Sequence, residues 1–369
     1  MRVLCIGSAM IDVVVLVDSR NVERMTMTNA TSSFLLLEQG TKIEASSVSS
    51  HCGGGAVNTA TAMRLLGAEA RVIAKIGMDQ NGERVLQTLD AADIDTSAVT
   101  RTRELATGQA VMISSHDRNA TIFTLRGANG LLRTSDLDPA VFATADLVYV
   151  SGLSNRSADC FPMILRNAKE AQAFVAVNPG IRQITSRTDA LIHSLIDVGL
   201  VTMNRVEAQA LVPTVAARMQ GQGRRLRISQ AAELPRLMRT GLSFGGFDMG
   251  LGEFLGGLLA VSRAQRVAVT DGTQGAYLAD SAGVHFCPIL KVKVQGTAGA
   301  GDAFSATLAF MTASGASAER ALRAAVINAA GVVTRSDTTS GLLDSEQLLT
   351  ELKRRNGDLP VASWSWMGQ

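Results

Sequence analysis

The chain has 369 residues, 46% of them hydrophobic and 18% charged, which supplies a buried core and excludes a mainly disordered state. A formal net charge of +2 gives no general attraction for nucleic acid. Four scattered cysteines, Cys5, Cys52, Cys160 and Cys287, form no C-x-x-C pair and fit a reducing cytoplasm better than a disulfide framework or a thiolate metal site.

The opening run RVLCIGSAMIDVVVLV reads as a buried first strand, with a turn at Gly7–Ser8. Asp12 interrupts it and no small-residue cleavage site follows, which argues against a signal peptide. No later stretch reaches membrane-spanning length without Gly or charge, so no membrane partner is expected. A polar segment leads to FLLLEQGTKIEASSVSSH, where Gly40 and the β-branched residues suit strands better than a helix. GGGAVNTATAMRLLGAEA is a glycine turn feeding a helix that Gly67 closes. RVIAKIGMD then gives a strand and NGERVLQTLDAADI a helix. TGQAVMISSHDRNATIFTLRGAN is a hairpin turning at His116–Asn119.

From there strands and helices alternate: DLVYVSG with FPMILRNAKEA, FVAVNPG with DALIHSLI, VGLVTMN with RVEAQAL, then RVAVTDG followed by AYLAD and GVHFCPI. ILKVKVQ reads as one more strand before a mostly helical final third. Such alternation is the signature of a parallel sheet covered by helices on both faces. Two strand-rich pieces, 13–50 and 95–126, fall outside it and pair as a small second sheet. The expected organisation is a main α/β domain of 1–12, 51–94 and 127–355, a β-rich lid of 13–50 and 95–126, an insertion at 214–256, and a C-terminal tail at 356–369. The basic run at 218–227 reads as a solvated loop.

Ligands of open parallel sheets bind beyond the carboxyl ends of the strands. The notable clusters sit at such ends: Asp12, NPG at 178–180, NRVE at 204–207, TDGTQG at 270–275 and GTAGAGD at 296–302. In the last, Gly299 and Gly301 let a ligand approach the backbone, successive N–H groups around Ala300 form an anion hole, and Asp302 can accept a hydroxyl proton or simply cap the helix. In HCGGGAVN, Gly54 and Gly55 allow close contact and Asn58 offers a donor and an acceptor, or the stretch is an ordinary tight connection. Asp12 suits a vicinal diol or a cap. Asn204 and Glu207 suit water around Mg²⁺, or a first helical turn. There is no Walker A lysine motif and no dinucleotide fingerprint.

Taken together these motifs resemble the ribokinase-like (PfkB) carbohydrate kinases, from Gly7 to about Gly341. The early glycine pair with Asn matches Gly54, Gly55 and Asn58, and the signature D-T-x-G-A-G-D matches Thr297, Gly299, Ala300, Gly301 and Asp302. KIGMDQNG, RGAN, N-x-x-E and VTDGTQGA are further echoes. The resemblance implies a ribokinase-like α/β fold with a small β-sheet lid, and an ATP- and Mg²⁺-dependent kinase acting on a sugar or nucleoside hydroxyl. Asp302 is then the general base, and Gly299, Ala300 and Gly301 form the anion hole. Asp12, Gly54, Gly55 and Asn58 bind the acceptor. Asn204, Thr270, Gly272, Gly275, Thr297 and Asn328 bind the nucleotide, and Glu207 holds Mg²⁺ through water. It also implies a homodimer through the lid. Gly296 stands at the signature's first Asp, which in many relatives helps hold a monovalent cation, and Ala298 at a second Thr of relatives, so a K⁺ requirement is doubtful; Gly55 stands where ribokinases often place Lys. A phosphosugar kinase, using a cation from Lys42 or Arg126, and a non-catalytic sugar sensor are the alternatives.

Overall fold

The computed structural model describes residues 1–18, 23–26, 33–36, 40, 42–115, 120–196, 198–219, 224–228 and 233–367. A nine-stranded sheet runs in the order Ala362–Ser365, Gly283–Cys287, Ala276–Ala279, Val267–Thr270, Leu200–Asn204, Phe174–Val177, Leu147–Val150, Arg2–Ile6, Glu69–Ile73. From Val267–Thr270 to Glu69–Ile73 every pairing is parallel, and the remaining pairings are antiparallel. The central strands are buried on both faces, as parallel strands under helices must be. Side-chain alternation splits them between two cores: Leu4, Ile6, Val148 and Val150 pack on one face, and Val3, Cys5, Leu147 and Tyr149 on the other.

The first apolar run is two strands, not one. Arg2–Ile6 ends at Gly7, and Met10–Val17 joins a second sheet in the order Ala120–Leu125, Gly108–Ser115, Met10–Val17, Ala45–Gly53. This is the small sheet expected from the two strand-rich pieces, and it places Asp12 within a strand. Thr100–Thr102 departs from the expectation, because it pairs with Lys75–Gly77 and not with the lid. The hairpin turn at 116–119, much of 19–41, and 220–223 of the basic run lie outside the described residues.

Three further expectations change. ILKVKVQ forms no strand; residues 288–298 run irregularly between Gly283–Cys287 and the next helix. The tail is part of the sheet: Ala362–Ser365 pairs with Gly283–Cys287, and Trp366 is buried with its indole N–H donating to the Asp280 carbonyl at 2.8 Å. The helix Arg205–Met219 runs past the expected start of the insertion, which beyond it holds the helix Arg236–Thr240 and the hairpin Leu242–Phe244/Phe247–Met249. Among the described residues no helix is long and apolar enough to cross a membrane.

Candidate active site

The helix Ala300–Ala313 begins in the glycine turn. Its N-cap, Gly299, has φ +79°, and a Cβ there would lie 2.6 Å from the Thr338 carbonyl oxygen, so only glycine fits. The Ala300 N–H makes a long 3.5 Å bond to the Thr297 carbonyl and the Ala303 N–H one of 2.9 Å to the Gly299 carbonyl, while no backbone carbonyl among the described residues accepts from the N–H groups of Gly301 or Asp302. Beside Gly301 a Cβ would meet nothing within 4 Å, so a ligand can reach this backbone.

Asp302 does not cap its own helix. Its Oδ2 accepts a 2.8 Å hydrogen bond from Asn58 Nδ2, and Asn58 Oδ1 accepts one of 2.9 Å from the Thr338 hydroxyl. Thr338, absent from the sequence expectations, thereby fixes which way the Asn58 amide points. Burial pushes the Asp302 carboxyl above its ordinary range, against the Asn58 bond. Asp12, 8% exposed, is pushed up to about 6, first by burial and then by the charge of Asp302. That influence puts the Asp12 carboxyl, on the small sheet, near the Asp302 carboxyl at the start of its helix. Gly53 makes room for it: a Cβ there would lie 2.0 Å from Asp12 Oδ2. At Gly55 a Cβ would lie 2.5 Å from Ser151 Oγ and 3.9 Å from Asp302 Oδ1, and at Gly54 2.6 Å from the Ser8 carbonyl oxygen.

Two cavities adjoin this centre. One, of 430 Å³, is walled by Leu290, Val292, Phe304, Val326, Ala330 and Val333, and is also lined by Gly275, Thr297, Ala300 and Gly301. The other, of 420 Å³, is polar and lined by Asn204, Arg205, Glu207, Arg236 and Asp271. Thr270, Gly272 and Thr273 line both. Asn204 and Glu207 form a reciprocal cap: the Asn204 N–H donates to Glu207 Oε2 at 2.8 Å, and the Glu207 N–H to Asn204 Oδ1 at 3.0 Å. Glu207 is nevertheless raised, chiefly by burial. Among the described residues no three His, Cys, Asp or Glu side chains form a metal cage. Asn204 and Glu207 offer oxygen donors, the ligand type that Mg²⁺ takes while keeping several waters.

One expected residue is not brought here. Asn328 is fully buried, donating to the Thr307 hydroxyl at 2.8 Å and accepting from the Leu343 N–H at 2.9 Å, so its amide is committed to helix packing. Arg205, Arg236 and Asp271 were missed. Arg205 and Asp271 lie inside the motifs NRVE and TDGTQG, which are their only signal in the sequence; Arg236 has none. A larger cavity of 690 Å³, lined by Arg2, Glu69, Arg71 and Asp95, sits where the first strands begin and gathers none of these groups.

A family model for pfkB family carbohydrate kinases matches residues 1–220 and 256–345. An ATP-dependent ribose-1-phosphate kinase of Halopiger xanaduensis is 27% identical over 282 residues, 76% of this chain and 79% of that protein. The Arabidopsis thaliana ribokinase complexed with ribose and ATP superimposes with a TM-score of 0.68 at 18% identity, over 95% of this chain and 98% of that one. A ribokinase II of E. coli in complex with ATP and Mg²⁺ gives 0.71 at 17%, over 96% and 99%.

Proposed function

The chain belongs to the pfkB family of carbohydrate kinases, and on that premise we propose that it transfers the γ-phosphoryl group of ATP to a hydroxyl of a sugar or nucleoside. The observation that carries the reading is the Asp302 carboxylate, held by Asn58 in a first helical turn where no backbone carbonyl among the described residues accepts from the Gly301 and Asp302 N–H groups. An acceptor hydroxyl there gives its proton to Asp302 as its oxygen bonds to the γ-phosphorus, and the bond to the β–γ bridging oxygen breaks to release ADP. The backbone N–H groups of Gly299, Ala300 and Gly301 face the charge on the phosphoryl oxygens. Phosphoryl transfer asks mainly for such positioning and charge stabilisation.

The acceptor's other hydroxyls meet Asp12 and the free Nδ2 hydrogen of Asn58, against the bare backbone of Gly54 and Gly55. The apolar cavity takes the adenine, with Thr270, Gly272, Gly275 and Thr297 along the phosphates. Asn204 and Glu207 would hold Mg²⁺ through water, and bound there it would supply positive charge against the phosphates. With the lid sheet over the crevice, water is kept from the γ-phosphoryl group. Val48, Ile122, Phe123 and Leu125 leave the lid with exposed apolar surface, which supports a homodimer through it; all four cysteines are free, which supports a reducing cytoplasm.

A second reading, a phosphorylated acceptor, has its own support. Arg126 follows the lid strand Ala120–Leu125; its Nε is buried without a hydrogen-bond partner, and the charge of Arg182 is felt beside it. The ribose-1-phosphate kinase points the same way. ATP consumption with a panel of sugars, nucleosides and sugar phosphates tests both. Turnover restricted to sugar phosphates selects the second reading. Nucleotide binding with no turnover on any acceptor leaves a sensor and refutes the kinase.

A further inference from the structure

The family model passes over residues 221–255, and the one helix beginning inside that gap and ending before its hairpin, Arg236–Thr240, opens with an arginine that lines the polar cavity. We propose that Arg236 binds phosphate oxygens of the nucleotide, so that the segment inserted in this chain completes the nucleotide site. The proposal rests on the kinase reading to the extent that the 270–274 loop holds a nucleotide.

The segment is fastened well enough to present a side chain. Leu237, Leu242 and Met249 are buried in the same core as Val201, Val267 and Val269 of the sheet. Gln209 Nε2 donates to the Ser243 carbonyl at 3.2 Å, and the Arg227 N–H donates to the Ser365 carbonyl at 2.9 Å. Arg236 therefore stands at a defined place in the wall of the cavity that Thr270, Gly272 and Asn204 also line.

The cavity is lined by two guanidinium groups, Arg205 and Arg236, and two carboxylates, Asp271 and Glu207. Arg205 Nη1 sits 3.4 Å from Asp271 Oδ1, and Asp271 is the acid that feels Arg236 as well. Arg236 has no ion-pair partner of its own among the described residues, and Glu207 is occupied by the Asn204 N–H. Arg205 is paired with Asp271, which leaves the Arg236 guanidinium free to meet an anion. A planar guanidinium matches phosphate with two parallel hydrogen bonds. The cavity shares Thr270, Gly272 and Thr273 with the apolar cavity that reaches the Thr297–Gly301 turn, so a nucleotide lying across both places its phosphates against these arginines. A neutral nucleoside would leave Arg236 without a contact.

The test is calorimetric titration of the full chain with ATP, ADP and adenosine in Mg²⁺, for the wild type, Arg236→Ala and Arg236→Lys. Arg236 is exposed, so neither substitution disturbs the core, and thermal unfolding checks this. The alanine variant should bind ATP and ADP roughly ten- to a hundredfold more weakly, as expected for a lost hydrogen bond to a charged group. Adenosine affinity and acceptor KM should be unchanged, with partial recovery in the lysine variant. Unaltered ATP affinity, or an equal loss for adenosine, would overturn the proposal. Binding is read without turnover, so a wild type that binds ATP but phosphorylates nothing refutes the kinase reading and still decides on Arg236. A wild type that binds no ATP refutes both.

Discussion

Replacing Asp302 by Asn separates a base from a helix cap. The helix Ala300–Ala313 has no side-chain cap bond at Gly299, and the Asp302 carboxylate takes its hydrogen bond from Asn58. The loss of about 0.5–2 kcal/mol that follows removal of a capping side chain should therefore not appear. Asparagine keeps an oxygen that can accept from Asn58, so the contact at 2.8 Å survives. Burial raises the Asp302 pKa, so its contribution to stability is greatest below the unfolded carboxylate range and falls as pH rises through the folded value. The neutral amide escapes that loss. At pH 7 to 8 the variant should unfold at the same temperature as the wild type or higher, and any advantage should shrink as pH falls towards 4. Catalysis should behave in the opposite sense. An amide cannot take the hydroxyl proton, and losing a general base costs about 10²–10⁴ in rate, or roughly 3–5 kcal/mol of barrier. Coupled detection of ADP release gives kcat, calorimetry gives ATP affinity, and a thermal scan gives stability. A kcat within a fewfold of wild type would refute the base assignment. A lowered unfolding temperature with near-normal kcat would return Asp302 to the role of a cap.

Burial, then the charge of Asp302, pushes the Asp12 carboxyl up to about 6, so kcat/KM for the acceptor should rise with pH through that value and then level. Asp12→Asn should lose that limb and raise acceptor KM about tenfold or more, with KM for ATP unchanged; an identical limb in the variant would assign it to another group. Gly296 and Ala298 bring no side-chain oxygen to the loop, so rates in Na⁺, K⁺ and a bulky organic cation should agree while Mg²⁺ is still required. A K⁺-specific rise would show that backbone carbonyls suffice. Trp366→Ala should cost about 3–5 kcal/mol in denaturant unfolding, as for a large buried aromatic; less than about 1 kcal/mol would show that the edge strand carries little of the sheet's stability.

The alternation from DLVYVSG onwards was legible because each strand is buried on both faces and each helix is short and bounded by turn residues. The glycine turn was legible because Gly299 has a conformation no other residue takes easily. What stayed hidden was contact between distant segments. Nothing local in ASWSW says that it will join a sheet edge left open by Gly283–Cys287. ILKVKVQ alternates as a strand does, yet no neighbouring strand pairs with it. Asn328 carried the right residue type for a ligand, but Thr307 and Leu343 absorb its amide. Thr338 gave no signal, since its role depends wholly on where Asn58 comes to rest. Arg236 lies where the family pattern is silent.

The chain of contacts from Thr338 through Asn58 to Asp302 spans sequence separations of 280 and 244 residues. Loop closure over such distances brings no gain until nearly all of the intervening chain is in place, so these bonds belong to the last stage of folding. The helices on either side need only local contacts to form. A refolding population can therefore show the far-ultraviolet circular dichroism of its helices while no molecule yet holds Asp302 in position, and recovery of turnover is the stricter clock for arrival at the native state.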